Sequence, residues 1–566
     1  MVRDMTLLIN HTAKRWPAAA CALLLAALLL SGCSPESYRR SADKEVYGIL
    51  KGKTPAVPGM VEDFSIEQTE RNLLRDCPLI SADEAPVEMQ TASAETPLQQ
   101  NVPVVSLSKA LEIAAFNSRE YQTQKESLYR SALSLTLQRY DFMPQFFGIF
   151  GADYDNTDLG DDEEVSGSSD FGFGWLLRTG TRISVSLGTS VSQFLTHDPR
   201  KSASSVFDLT VTQPLLQGAG IAVTEPLTQA ERDVIYRMRE FVRFRRRFFV
   251  DVLSDYYSVL RERQILENEL LNYEGLQLAR ERAELLGQAG DLPGFEVDQT
   301  RQDELRAADR VQSSRQSYRN RLDQFKVTLG LAPETALVLD PAELDRLSAA
   351  PGEELQFEAG AAVRVAIVRR LDLATATDRL EDARRKVQVA ENDLLPGLDL
   401  SASLSTDTEG DNNPTNFQAD RTDLSAGLEL DLPLDKKSER NEYRRRLIDL
   451  DEAVRDQCEA RDEVVLQVRN SWRQLTRARR SYQIREQSVR LAEARVESTM
   501  LLLEAGDADT RDMLEAREAL VGAQNDLARA LVDYRVARLQ LARDMEILNV
   551  TRTGQLAENF DEYIGT

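Results

Sequence analysis

The chain has 566 residues, 42% of them hydrophobic and 29% charged, and carries a net charge of −24. It is long enough for several domains and too apolar to be disordered throughout, and the acid excess excludes a nucleic-acid binder, which needs clustered Lys and Arg. With 7% aromatics and 28 Gly, the composition leans toward long helices rather than an all-β domain.

Residues 1–33 read as a targeting segment. Arg3, Lys14 and Arg15 form a basic start, residues 18–30 an apolar run too short for a confident span, and Leu30-Ser31-Gly32-Cys33 a small-residue close. That tetrapeptide resembles a bacterial lipobox, which implies cleavage before Cys33, lipid on its sulfur, and, with Ser34 following, transfer to the outer membrane. An ordinary secretory signal cleaved nearby is the alternative. Cys77 and Cys458 remain, far apart and without metal-ligand spacing, and the sequence assigns neither a state. Residues 34–100 are interrupted by Pro55, Pro58, Pro78, Pro86 and Pro97 and read as a tether or wrapping segment with a short helix over 41–50.

The first repeat unit spans 101–350. A helix is expected over 107–139, where Leu107, Leu111, Ala114, Leu128, Ala132 and Leu135 keep helical spacing. Between Pro144 and Pro214 the period falls to two. Strands are expected at 145–154, 171–177, 181–191 and 206–213, with a turn at Arg178-Thr179-Gly180 and a solvated loop over 156–170. The second unit, 351–550, has fewer strands, 398–406 and 424–432, with a polar loop over 407–423. Each set ends at a proline, Gln213-Pro-Leu-Leu216 and Asp431-Leu-Pro-Leu434, because proline cannot donate to a ladder but is tolerated where a helix begins. Segments apolar on one face and rich in Ser, Thr and Asp on the other suit a barrel around water, or the edge of a soluble sandwich. Too few strands are present for one chain to close either, so several chains must contribute.

After the strands come helical hairpins over 224–330 and 436–548. A proline-free run of some sixty residues would extend about 90 Å. In the last helix Met513, Ala516, Leu520, Ala523, Leu527, Ala530, Tyr534, Ala537 and Leu541 follow alternating steps of three and four, a coiled-coil seam. Both hairpin turns contain Ala-Gly-Asp, at Gly290-Asp291 and Gly506-Asp507. Those glycines lie 216 residues apart and the two strand-ending prolines 219 apart, which marks an internal repeat. A tail of 551–566 follows.

In that order, twice over, these motifs resemble the TolC family of outer-membrane efflux proteins, and the lipobox makes the chain similar to its OprM-like lipoprotein branch. The resemblance, over 107–548, implies a mainly α fold with a membrane β-barrel, built from a duplicated helix–strand–strand–long-helix-hairpin unit. It implies a homotrimer whose protomers each give four strands to a twelve-stranded barrel and whose helices form an α-barrel tunnel across the periplasm. An extra hairpin in the first unit departs from that count. The implied function is a passive duct for efflux or type I secretion in the outer membrane of a Gram-negative-type bacterium, opened when an inner-membrane pump and its periplasmic adaptor dock at the tips, Gly290, Asp291, Gly506, Asp507 and Asp509. Acidic side chains at the family's entrance match Asp512 and Glu515, with Glu296 in the comparable place of the first unit. Where the family has a gating Arg this chain has Ala508, with Arg511 as a substitute.

Enzyme readings lack parts. Of two His, His11 leaves with the signal and His197 has no partner, and Gly172 and Gly174 precede no phosphate-loop Lys. Neither a cofactor nor a metal is expected. The competing reading is a lipid-anchored periplasmic coiled-coil scaffold whose strands pair into a soluble cap.

Overall fold

The computed structural model describes residues 34–61, 64–67, 104–157, 162–194, 201–349, 357–408, 413–505, 507–551, 554–558 and 560. The expectations for Cys33, Cys77 and Gly506 lie outside the described residues.

Helix α1 (Pro35–Lys53) is longer than the short helix expected over 41–50. Ser34 caps it, accepting from the Ser37 N–H at 3.3 Å, and Pro35 sits where its missing N–H costs nothing. Val46, Ile49 and Leu50 are buried, so this segment is docked. The Lys53 ammonium bonds both the Glu231 carboxylate and the Glu231 carbonyl, and the Tyr129 hydroxyl donates to Asp43 at 2.6 Å.

After a two-residue strand, β1 (Val104–Val105), the single helix expected over 107–139 is two, α2 (Leu107–Asn117) and α3 (Arg119–Tyr140). Ser118 lies between them with extended backbone (ψ 125°). Its N–H closes α2 on the Ala114 carbonyl at 3.1 Å while its hydroxyl accepts from Tyr121 N–H at 3.5 Å. A serine that caps the next helix thus breaks a pattern whose apolar spacing runs through.

Four strands follow: β2 (Gln145–Thr157), β3 (Asp162–Leu176), β4 (Arg182–Phe194) and β5 (Lys201–Pro214). The loop expected over 156–170 is mostly strand, since Asp162 to Asp170 pair with Thr157 back to Ile149. Its Asp, Glu, Ser and Gly give the composition of a loop although the backbone continues the ladder.

Helix α4 (Ile221–Ala289) and helix α5 (Gly294–Thr328) form the first hairpin. Strand β6 (Val338–Leu339) then pairs in parallel with β1, and α6 (Ala342–Ala349) follows. The second unit repeats the broken helix, as α7 (Ala359–Arg369) and α8 (Leu371–Asn392) with Arg370 extended between them. Strands β7 (Gly397–Thr408) and β8 (Phe417–Asp431) lead into α9 (Lys437–Ala505), and α10 (Thr510–Asp544) returns. Strands β9 (Leu548–Val550) and β10 (Leu556–Glu558) close the described chain. The duplication read from the prolines and tips is therefore present in the fold: α4 and α9 each have 69 residues and α5 and α10 each 35.

At about 1.5 Å per residue each long helix extends on the order of 100 Å, far more than a compact domain uses. The main core sits part-way along. Tyr121 meets Phe241, Phe244, Phe248 and Phe249 with ring centroids 5.3–6.1 Å apart, and Tyr256 meets Phe325 at 5.9 Å. Beside it the two units are joined by charge. The Glu546 carboxylate, 4% exposed, holds Arg246 and, at 3.0 Å, Arg243; Arg243 reaches Asp372 at 2.8 Å, and Arg370 reaches Asp372 at 2.6 Å. Burial opposes ionisation of Asp372, but Arg370 and Arg243 hold its carboxyl below the usual range. Farther along the coil, Asn268 donates to Asn525 at 2.8 Å and Asn525 to Glu269 at 3.1 Å. All three are buried and fix α10 against α4.

Candidate pore elements: the sheet and the helical tips

The six long strands form one antiparallel sheet in the order β2-β3-β4-β5-β7-β8, the two units meeting at β5 and β7. Because neighbours in register share a face, Phe173, Val185, Leu209, Leu404 and Leu424 form one cross-sheet row, and Ile183, Val211, Ala402 and Ala426 another. Ser184, Thr210, Ser403 and Ser425 run across the opposite face. From β3 to β8 the sheet is thus apolar on one side and mainly hydroxylated or acidic on the other, while β2 carries Phe147 and Ile149 on that second side too. A sandwich would bury the apolar side, yet Phe146, Phe150 and Leu424 are each at least three-quarters exposed. Among the described residues no helix is long and apolar enough to cross a membrane.

At the far end of the long helices the two tips are built alike. In the first, Gly290 adopts φ +85°, ψ 5°, the left-handed conformation a side chain disfavours, and the Asp291 N–H bonds the Leu286 carbonyl at 3.0 Å. In the second, the Asp507 N–H bonds the Leu502 carbonyl at 2.9 Å, the same closure five residues back. Asp509 then starts α10. The Asp512 carboxylate accepts from the Asp509 N–H at 3.2 Å, reciprocally capping the helix. Three residues on, Glu515 accepts from Arg511 at 3.2 Å, both side chains exposed. Glu296 lies half-buried in the first turn of α5.

Of the expected entrance residues, Asp512 and Glu515 therefore occupy one turn of one helix, and each has local work: Asp512 a cap, Glu515 an ion pair with Arg511. Asp291, Asp507 and Asp509 are exposed at the tips. Cys458 is exposed and free. Sequence reading missed a cleft of 1370 Å³ walled by α3, α4, α8, α9 and α10, lined by Arg130, Arg237, Arg239, Arg243, Arg247 and Arg379 together with Asp233, Glu240, Asp372, Asp544 and Glu546. The signal was present: six Arg fall between 237 and 247 in a strongly acidic chain.

A model of the outer membrane efflux protein family matches residues 362–545, from α7 to the end of α10. The chain carries an outer membrane efflux protein domain. It is 26% identical over 356 residues to the alkaline protease secretion protein AprF of Pseudomonas aeruginosa, covering 58% of this chain and 70% of AprF. It superposes on the outer-membrane channel OprN with a TM-score of 0.56 at 15% identity, over 78% of this chain and 89% of OprN. The Campylobacter jejuni CmeC outer membrane channel gives 0.56 at 14% identity, over 81% and 88%. At such identities the superpositions speak for the fold alone, and they extend beyond the matched domain, so the helix–strand–hairpin fold is shared with those solved channels.

Proposed function

We propose that this chain is the outer-membrane duct of a tripartite efflux or type I secretion assembly. Three copies join their strands into a barrel and their long hairpins into a tunnel through the periplasm. The observation that carries this reading is the sheet, whose apolar face is exposed while its other face is mainly hydroxylated or acidic, fused to two hairpins of about 100 Å. Its likeness to a protein named for protease secretion and to solved outer-membrane channels supports the same conclusion. The scaffold alternative requires a cap that buries the strands' apolar side, and the exposure of Phe146 and Leu424 opposes it.

In this assembly lipid on Cys33 anchors the chain, and the tips at Gly290, Asp291, Gly506, Asp507 and Asp509 receive the adaptor. Asp512 and Glu515 of the three copies, with Glu296, ring the periplasmic entrance and favour cations there. No catalysis is asked of the chain, since pump and adaptor supply the work. Asp512 also caps α10, so its charge is tested by Asp512→Asn, which keeps an acceptor, together with Glu515→Gln. In a planar bilayer the mature protein gives discrete cation-preferring steps, and the double variant conducts more with less cation preference. Absence of steps from protein shown to be folded and inserted would refute the duct. Steps identical in the variant would remove the entrance ring and leave the duct standing.

A further inference from the structure

We propose that the sheets of neighbouring copies close edge to edge, β2 of one against β8 of the next, so that three copies build an eighteen-stranded barrel rather than a twelve-stranded one. This rests on the duct reading and specifies what wall that duct has. Strands β2 and β8 are the two edges of the sheet, each with one side of its backbone unpaired. In hydrocarbon such a row of N–H and C=O groups must find partners. Directions permit the closure: β2 runs away from the helices and β8 returns to them, so a second copy offers its β8 antiparallel to β2.

The register supplies the geometry. A line of paired residues starting at Gln145 passes through Gly174, Ser184, Thr210, Ser403 and Ser425. The helix-side strand ends, Gln145, Leu176, Arg182, Pro214, Gly397 and Asp431, fall 0, 2, 2, 4, 6 and 6 residues beyond that line. This regular descent brings all six ends to one level only if the strands tilt. With about 3.3 Å per residue along a strand and about 4.8 Å between strands, the tilt is roughly 35–40°, the range of closed barrels. All six strands fit that descent, β2 and β3 included, so the additional hairpin belongs to the wall.

Carrying the descent across the seam sets Ser425 beside Gly151 of the next copy. On the apolar face Leu430 then meets Phe146, Leu428 meets Gly148, Ala426 meets Phe150 and Leu424 meets Ala152. In the last three pairs a large residue faces a small one, which lets two sheets already formed come together without clash. On the other face Arg421 is brought opposite Asp155, and Asp423 opposite Asp153 is the one like-charged pair. Eighteen strands at this tilt give a diameter of about 35 Å between backbones, against about 23 Å for twelve, wide enough for an open aqueous bore.

The test is cysteine cross-linking of the full chain in its membrane, in a Cys77→Ser, Cys458→Ser background. The seam pair is Ala152→Cys with Leu424→Cys; the twelve-stranded alternative, in which β4 abuts β8 of the next copy, is probed by Thr189→Cys with Leu424→Cys. Oxidation is expected to convert the seam pair to a reducible ladder ending at three chains and to leave the β4 pair monomeric. A second seam pair, Phe150→Cys with Ala426→Cys, guards against local misfolding of the first. Cross-linking through β4 and not β2 would overturn the proposal, as would failure of both seam pairs in protein that is membrane-integral and conducts; either result leaves the duct intact. Protein that washes from the membrane would remove the duct reading itself, and the seam with it.

Discussion

The Glu546 carboxylate offers the sharpest test of how the two repeats are held together. It is 4% exposed, lies just past the end of α10 at φ +60°, and accepts from Arg246 and Arg243 of α4, some 300 residues earlier. Replacing it by Gln keeps the shape but leaves two guanidinium groups facing a neutral amide. Arg246 retains its bond to the Leu548 carbonyl at 2.9 Å and Arg243 its pair with Asp372 at 2.8 Å, so the loss is partial. Breaking a buried pair from one side costs about 3–5 kcal/mol, and with these residual partners about 2–3 kcal/mol is expected for Glu546→Gln. Removing both partners as Arg246→Met, Glu546→Met relieves the stranded charge, so the double variant is more stable than the sum of its single changes by at least about 1 kcal/mol. The assay is denaturant unfolding in detergent, followed by far-ultraviolet circular dichroism, which the long helices dominate. A loss below about 0.5 kcal/mol for Glu546→Gln, or strict additivity in the cycle, would refute the claim that this contact is a desolvated, coupled pair.

Two further outcomes follow from polar contacts elsewhere. Burial raises the Glu231 carboxyl, but hydrogen bonds from Lys53 and Arg139 outweigh it and hold the group below its ordinary value. The folded value is depressed, so docking of α1 is strongest above the ordinary carboxylate pKa and is lost as pH falls through the lower folded one. The protection factors of amides 35–53, which correct exchange for its intrinsic pH dependence, should fall in that acid window, and Glu231→Gln should show the acid-like protection already at neutral pH. Equal protection at both pH values would sink the idea. At the coil, Asn525→Leu strands the Asn268 amide and one oxygen of Glu269, for an expected loss of about 1–3 kcal/mol. Adding Asn268→Leu should recover part of it, and a double variant worse than the sum would show the network has another role.

Much of this fold is legible in the amino-acid sequence. The strand ends at Pro214 and Asp431, the matched tips and the heptad seam through Ala516 and Ala523 were legible because each depends on residues within a few positions of one another. Errors arose where two local signals conflicted. Ser118 caps a helix inside an unbroken apolar pattern, and residues 162–170 form strand from loop-like Asp, Glu, Ser and Gly. At the tips, Asp512 was legible as acidic, whereas its bond to the Asp509 N–H appears only once the turn is built.

By itself, then, the sequence determined the elements and their duplication: period two or three-and-a-half, a proline between them, and a glycine where the chain must turn left-handed. These are short-range choices of backbone conformation, and side-chain spacing settles them. Tertiary structure alone decided which partners those elements take. Strand β5 lies beside β7 across nearly two hundred residues, Glu546 meets Arg246 across three hundred, and the extra hairpin joins the sheet instead of lying apart. Such pairings depend on which buried polar groups and strand edges reach one another once the long helices have packed, and no local pattern encodes that.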